Sequence, residues 1–330
     1  MTQDMLAEAF EKLLADNCGP EVVHAAEEGG DVFPLWTEFE QSGFLDALIS
    51  EDSGGAGLGL TDVAGLVLAA GRAAVPLPFV QTMIARAALA AAGAEVPTGR
   101  IAFAAGQTVG DTVACPAVPF GAVADWVVAD LGGAARLISC AEATVTPTGV
   151  RGSLTAAVSA TGGTVIETDF DWSAAGAALH AGLLAGAMEV VFEATLDYAQ
   201  QRNQFGRAIG KFQAVQQQLS VMAEEVYAAR MAAQFGLRGD GCEPRRLQAA
   251  MAKARTSEAA HRVAAIAHGV HGAIGITEEL DLQLHTRRLH EWRNAHGSES
   301  HWNGVVGRAL LAAGSKASLE FVREDMFPPV

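Results

Sequence analysis

From Asp171 onward the sequence carries helix-type spacing of apolar residues with three strong interruptions, at 206–210, 239–244 and 272–275. That pattern predicts four long helices, about 174–203, 210–237, 244–271 and 278–313. Helices gain most of their stability by packing an apolar face, so four in succession must bury their stripes against one another as a bundle. The second shows its packing face directly: Phe212, Val215, Leu219, Met222 and Val226 recur at spacings of three and four. Asp171 or Ser173 is placed to cap the first.

Two other textures precede the bundle. Residues 1–97 read as helical: Met5, Ala9, Leu13 and Leu14 form a stripe in the first run, and 60–74 and 80–92 are rich in Ala and Leu. The glycine-rich stretch 53–59 has no strand before it and no Gly-Lys-Ser/Thr after it, so it reads as a turn between helices and not as a phosphate loop. Residues 98–170 change to short β-type runs at 101–104, 126–131, 136–139 and 164–167, broken by Gly, Pro, Asp and Thr. The expected fold is α+β: an N-terminal helical domain (1–97), a small, reduced β domain (98–170) and a C-terminal four-helix bundle (171–330). No strand-Gly-x-Gly-x-x-Gly-helix unit occurs, which argues against a Rossmann domain.

Charge and cysteine usage exclude several functions. A formal charge of -16 and a pI near 4.9 argue against a broad basic surface for nucleic acid or anionic lipid. No run of about 18 apolar residues is free of charge and helix breakers, and residues 1–16 carry acids where a secretory signal carries bases, so the expected location is cytoplasmic, with no membrane span. Cys18, Cys115, Cys140 and Cys242 lie far apart, which predicts reduced, mostly buried thiols. Among the histidines, His268 and His271 share helix-compatible spacing but have no evident third ligand, so no metal is assigned.

The segment Tyr198-Ala-Gln-Gln-Arg202-Asn-Gln-Phe205-Gly206-Arg-Ala-Ile209-Gly-Lys-Phe212-Gln213 resembles the turn between the first two bundle helices of acyl-CoA dehydrogenases. A second block, Gly269-Val-His271-Gly272-Ala-Ile-Gly275, followed by Leu284-His-Thr-Arg287-Arg288, resembles that family's glycine-rich turn before its last helix. The resemblance implies FAD as cofactor, an acyl-CoA thioester as substrate, formation of an α,β double bond, and electron-transfer flavoprotein as acceptor. It also implies that the Arg-x-x-Phe-Gly turn reaches the adenosine diphosphate end of a FAD held mainly by a neighbouring subunit. Carried over by position, Arg202, Phe205, Phe212, Gln213 and Gly272 are the cofactor contacts. A guanidinium offers forked donors to pyrophosphate, and a ring supplies an apolar wall. Without the motif, Arg202 reads as a charge offsetting a helix dipole, and Phe205 and Phe212 as core aromatics. Thr277-Glu278-Glu279 reads as a helix N-cap with no chemistry.

Removing a proton from the carbon beside the thioester carbonyl needs a positioned carboxylate. The family resemblance puts that Glu where this chain has His296, in Asn294-Ala-His296-Gly-Ser-Glu299-Ser. It puts an alternative position in the first bundle helix, near Gly176. Neither is an acid. Glu299, three residues beyond His296, is read as reaching the same helical face, and His296 as a second substitute base. The loop at 104–111 also departs from the family's flavin-ring strand, and Gly269 stands where the family has Gln.

The resemblance is therefore to the smaller, base-lacking subunit of heterotetrameric (α2β2) actinobacterial acyl-CoA dehydrogenases, which act on fatty acyl or steroid side-chain thioesters and pair with a homologous larger subunit. Two alternatives stay open: a self-sufficient homo-oligomer with a non-standard base, and a flavin-free structural subunit.

Overall fold

The computed structural model describes residues 3–314 and 317–326. Five helices come first: α1 (Gln3–Asn17), α2 (Pro20–Glu27), α3 (Phe33–Ser42), α4 (Leu60–Arg72) and α5 (Phe79–Ala91). The buried face of α1 is Leu6, Phe10 and Leu14. Of the expected Met5–Ala9–Leu13–Leu14 stripe, Leu14 is buried and Leu13 packs at the edge of the core, whereas Met5 is 55% exposed and its place is taken by Leu6 and Phe10. Phe10 fixes the phase by stacking on Phe79 at 4.5 Å and meeting Phe44 edge-on at 5.2 Å. The 53–59 stretch is the connection into α4, as its composition predicted.

Eight strands follow, in two four-stranded sheets. One sheet runs β1 (Ile101–Ala105), β4 (Trp126–Asp130), β5 (Ala135–Ser139), β8 (Thr164–Ile166), with β1 and β4 parallel and the other pairs antiparallel. The other is antiparallel: β2 (Gln107–Val109), β3 (Thr112–Val118), β7 (Ala156–Ala160), β6 (Thr144–Pro147). Side chains alternate across a strand, so Ala102 and Ala104 of β1 pack with Val113, Cys115 and Val158 between the sheets. Ile101 and Phe103 point the other way, into the core shared with the helices. The first sheet is therefore covered on both faces, which is why β1 is almost wholly buried.

The bundle is built on α6 (Trp172–Gln201), whose 30 residues span roughly 45 Å at 1.5 Å per residue. Asp171 caps it, accepting the Ala174 amide at 2.9 Å. By length and composition α6 could cross a membrane, but 89% of its apolar window is buried inside the fold, so it is the core helix. Packed around it are α7 (Gln213–Gly236) and α8 (Arg246–His271), joined by β11 (Gly239–Asp240) and β12 (Glu243–Pro244). Leu219, Met222 and Val226 bury the predicted face of α7, whereas Phe212 is its N-cap and only half-buried.

The predicted fourth helix is two helices, α9 (Leu282–Trp292) and α10 (Glu299–Ala312), before a short α11 (Ser318–Phe321). The chain breaks at 293–298, where His296 has φ 52° and Gly297 φ 97°. Successive left-handed residues cannot continue an α-helix. The Thr277 N-cap is also displaced: Thr277 Oγ1 donates back to Ile274 O, and Asp281 precedes α9. All four cysteines are free thiols, Cys18 and Cys115 buried, Cys140 and Cys242 half-buried.

Candidate functional site

Two groups of predicted residues lie at opposite ends of α6. At its C-terminal end the chain leaves the helix at Arg202 and forms a two-residue hairpin, β9 (Asn203–Gln204) against β10 (Arg207–Ala208). Its tip is Phe205 and Gly206, with φ of 50° and 82°. Positive φ at both central positions matches the right-handed twist of a tight hairpin, but it is costly for a phenylalanine. Phe205 is also 92% exposed, so the chain gives it little packing in return. It meets Phe212 edge-on at 6.2 Å, and the Arg207 guanidinium lies 4.1 Å over the Phe212 ring.

Arg202 and Gln213 are exposed, and the Arg202 guanidinium has no ion pair or side-chain hydrogen bond among the described residues. Tyr198, one turn before Arg202, stacks on His271 at 4.4 Å and donates to His271 O at 3.3 Å. That contact brings the Gly272 turn to the same end of the bundle. Gly272 has φ 67° and ψ -146°, a conformation open essentially to glycine alone, and among the described residues nothing beyond its chain neighbours lies within 4 Å of where its Cβ would be. The structure therefore gathers all five predicted cofactor contacts at one end of the bundle, on an open face. Unpaired Arg202, an exposed ring and an unobstructed glycine backbone fit the phosphate and adenosine portions of FAD.

At the other end of α6, His296 sits against Gly176. A Cβ at position 176 would collide with the imidazole, so the ring occupies the space that a side chain there would need. The two positions where the resemblance puts a base therefore converge on one point, and neither brings a carboxylate. The His296 ring also packs on Phe103 at 5.1 Å and His180 at 5.0 Å. The residue is half-buried overall, yet its Nε2 has no solvent contact and no hydrogen-bond partner. Burial first, and the Lys253 charge second, push its pKa down to about 3. His180, fully buried with Nδ1 2.8 Å from Gly176 O, is likewise depressed by burial.

Two cavities meet at His296. One, of about 500 Å³, lies between the β6–β7 loop and α9; the other, of about 290 Å³, lies between the strands and the start of α6. Glu291 lines the first and Asp130 the second. Glu299 lines neither. The expectation that it shares a helical face with His296 fails because 293–298 is not helical, and Arg293 grips its carboxylate through Nε at 3.0 Å and through Nη2. That pairing holds Glu299 below the usual carboxylate range.

Lys253, which the sequence motifs do not single out, positions the turn that carries His296. It is fully buried on α8, and Nζ donates to Arg293 O (2.7 Å), Gly297 O (3.0 Å) and Ser257 Oγ (2.9 Å), fastening both ends of the turn that carries His296. The signal was present: one lysine inside Ala249-Ala-Met-Ala-Lys253-Ala. Burial lowers its pKa from 10.5 to about 7.

Between those values the unfolded chain binds a proton that the folded chain does not, so stability rises with pH by roughly 1.4 kcal/mol per unit. Buried thiols oppose this above their ordinary value of 9.0, because Cys18, Cys115 and Cys140 are raised to about 12, 11 and 11 and the folded state then holds the extra protons. From pH 7 to 9 the wild-type denaturation midpoint should climb, and Lys253→Met should flatten the slope. Equal slopes in the two proteins would contradict the assignment.

A helical domain, a pair of four-stranded sheets and a helical bundle, in that order, make a three-part α+β scaffold. Two family models match the chain: Acyl-CoA dehydrogenase, N-terminal domain, over residues 1–97, and Acyl-CoA dehydrogenase, C-terminal domain, over residues 161–311. The acyl-CoA dehydrogenase IpdE2 of Mycobacterium tuberculosis is 34% identical over 297 residues, covering 87% of this chain and 91% of that protein. One chain of the ChsE4–ChsE5 complex from Mycobacterium tuberculosis superposes with a TM-score of 0.82 at 21% identity, over 96% of this chain and 98% of that one. A Tcur3481–Tcur3483 steroid acyl-CoA dehydrogenase variant gives 0.82 at 22%, over 95% and 99%. The chain belongs to the acyl-CoA dehydrogenase family, oxidoreductases that use FAD.

Proposed function

We propose that this chain is the base-lacking subunit of a heteromeric acyl-CoA dehydrogenase, paired with a homologous larger subunit and lending contacts to that subunit's FAD. The observation that carries the reading is the pairing of His296 with Gly176: both base positions coincide and hold an imidazole that stays neutral. A general base works best with a pKa near the operating pH, and a group near 3 accepts a proton poorly at neutrality.

The geometry of α6 supports the same division of labour. From Gly176 to Arg202 is 26 residues, roughly 39 Å along a helix, longer than an extended dinucleotide. One FAD cannot meet Arg202 with its pyrophosphate and His296 with its ring in a single copy of the chain. In this reading Arg202 binds pyrophosphate oxygens, Phe205 and Phe212 wall the adenosine side, and Gln213 and Gly272 border them. When bound, FAD supplies the hydride acceptor for the carbon β to the thioester, and the partner's carboxylate takes the α-proton. An electron-transfer flavoprotein would be the electron acceptor of the assembled enzyme, in the cytoplasm. The mycobacterial and steroid acyl-CoA dehydrogenase complexes that share the fold support a bulky acyl-CoA as substrate, a steroid side-chain thioester among them.

Co-purification with the partner should give one FAD per two chains, and the chain alone should carry little flavin and show no acyl-CoA oxidation. A homo-oligomer holding one FAD per chain and oxidising an acyl-CoA would sink the proposal in favour of a self-sufficient enzyme. A flavin-free complex would favour the structural-subunit reading.

A further inference from the structure

The β6–β7 connection, residues 148–155, is fastened to α9 by a small set of polar contacts. Glu291 Oε1 accepts both Ser153 Oγ, at 2.8 Å, and Thr155 Oγ1. Arg287 Nη1 donates to Arg151 O at 3.1 Å. Gly152, at φ 71°, lies so close to α9 that a Cβ there would collide with the Arg287 guanidinium. Beyond these contacts the loop stands clear: Val150 is exposed, and the Arg151 side chain reaches outward to Glu278. Leu154 is buried and its carbonyl accepts the Ala122 amide at 3.0 Å, which anchors the end next to β7. Gly149, at φ 74°, places one conformationally permissive residue in the free half.

This loop forms one wall of the 500 Å³ cavity, and α9 with the turn to His296 forms the other. The cavity surface is chiefly apolar, with Ala117, Pro119, Val150 and Ala295 among its lining. The cavity holds about 500 Å³ as it stands, so an apolar group that exceeds this volume has to displace the loop from α9 or stay outside. The hydroxyl contacts converge on one half-buried carboxylate, beside the Arg287 bond to the Arg151 carbonyl and the Arg151–Glu278 ion pair. All these groups can be solvated by water when they part, so release is inexpensive compared with opening an apolar core.

We propose that residues 148–155 are a strap that gates this cavity, with Glu291 as its latch, and that Glu291, Ser153 and Thr155 determine how large an apolar group the cavity admits. The identity of that group as the acyl portion of a bulky thioester rests on the functional reading above; the strap does not.

Trypsin cleavage after Arg151 reads strap opening, because that peptide bond is docked on α9 when the latch is closed. In the assembled protein, Glu291→Gln and the Ser153→Ala/Thr155→Val pair should be cut at this bond roughly tenfold faster than wild type, the opening free energy having lost about one charge-assisted hydrogen bond, with other sites cut at unchanged rates. Both variants should also bind the apolar probe 8-anilinonaphthalene-1-sulfonate with at least twofold more fluorescence, and Ala295→Trp, which fills the cavity, should remove that gain. Unchanged cleavage in both variants would overturn the strap. Faster cleavage without the added, Trp-sensitive fluorescence would overturn the gating role and leave a static brace. None of these readouts depends on flavin content, so they stand even if the chain holds FAD by itself.

Discussion

Replacing Arg202 by Ala is expected to weaken FAD retention by the assembled enzyme roughly tenfold to a hundredfold, the cost of losing a charge-assisted contact worth about 1.5–3 kcal/mol. The stability of the chain by itself should not change, because the Arg202 side chain is exposed and has no partner among the described residues. That asymmetry separates a cofactor contact from a helix-end charge, whose loss would cost the chain a few tenths of a kcal/mol and leave FAD untouched. Phe205 provides an independent check. Phe205→Gly relieves a left-handed phenylalanine and removes an exposed ring, so the lone chain should gain stability while the complex loses FAD. Flavin content of the gel-filtered complex, beside denaturation midpoints of the lone chain, measures both. Full FAD retention in Arg202→Ala would remove this hairpin from the cofactor site.

Much of the architecture was legible because a long helix repeats its signal many times. The 30 residues of α6, the Asp171 cap and the Leu219–Met222–Val226 face each follow from spacing and capping chemistry. Errors arose where the signal was short or shared. In α1 the spacing alone favours Met5 and Ala9 for the core face, but Phe10 carries more burial energy than either and sets the phase. Strand β3 was missed because Pro116 interrupts Thr112–Val118 at a bulge, and β6 because its exposed residues give no alternation to read. The break between α9 and α10 was hidden for a different reason. Gly297-Ser298-Glu299 is a reasonable helix start, but the long apolar pattern on either side outweighed it.

The candidate site divides in the same way. Arg202, Phe205, Phe212, Gln213 and Gly272 fall in two contiguous motifs, so the sequence displays them together. The meeting of His296 with Gly176 joins residues 120 positions apart, and only tertiary packing shows that one ring fills the place of two possible acids. Glu291 was invisible for a related reason: its partners Ser153 and Thr155 belong to a loop that resembles any other polar turn.

Removing the carboxylate of Glu27 should be among the most destabilising single changes in the chain. Glu27 ends α2, and its two oxygens accept Arg287 Nη2 at 2.6 Å and Arg288 Nη1 at 2.7 Å. The Glu27 and Arg288 side chains are only 6% and 5% exposed, so this pair joins the first helices to α9 with almost no water around it. Burial lowers the Arg288 pKa and the Glu27 charge opposes that effect, yet a guanidinium remains protonated at any pH the fold survives. Glu27→Ala therefore strands a buried cation, at a cost of about 3–5 kcal/mol. The loss reaches further than α2, because Arg287 also holds Gln283 and the carbonyl of Arg151, and so helps dock the strap. Burying a charge pair is not intrinsically favourable, which gives a second, opposite expectation. Glu27→Met combined with Arg288→Met removes both buried charges and should recover most of the stability, while Arg287, a third exposed, turns to water. Urea midpoints of the single and double variants test both statements. If the double variant is as unstable as Glu27→Ala, the triad works through its geometry and not through charge compensation.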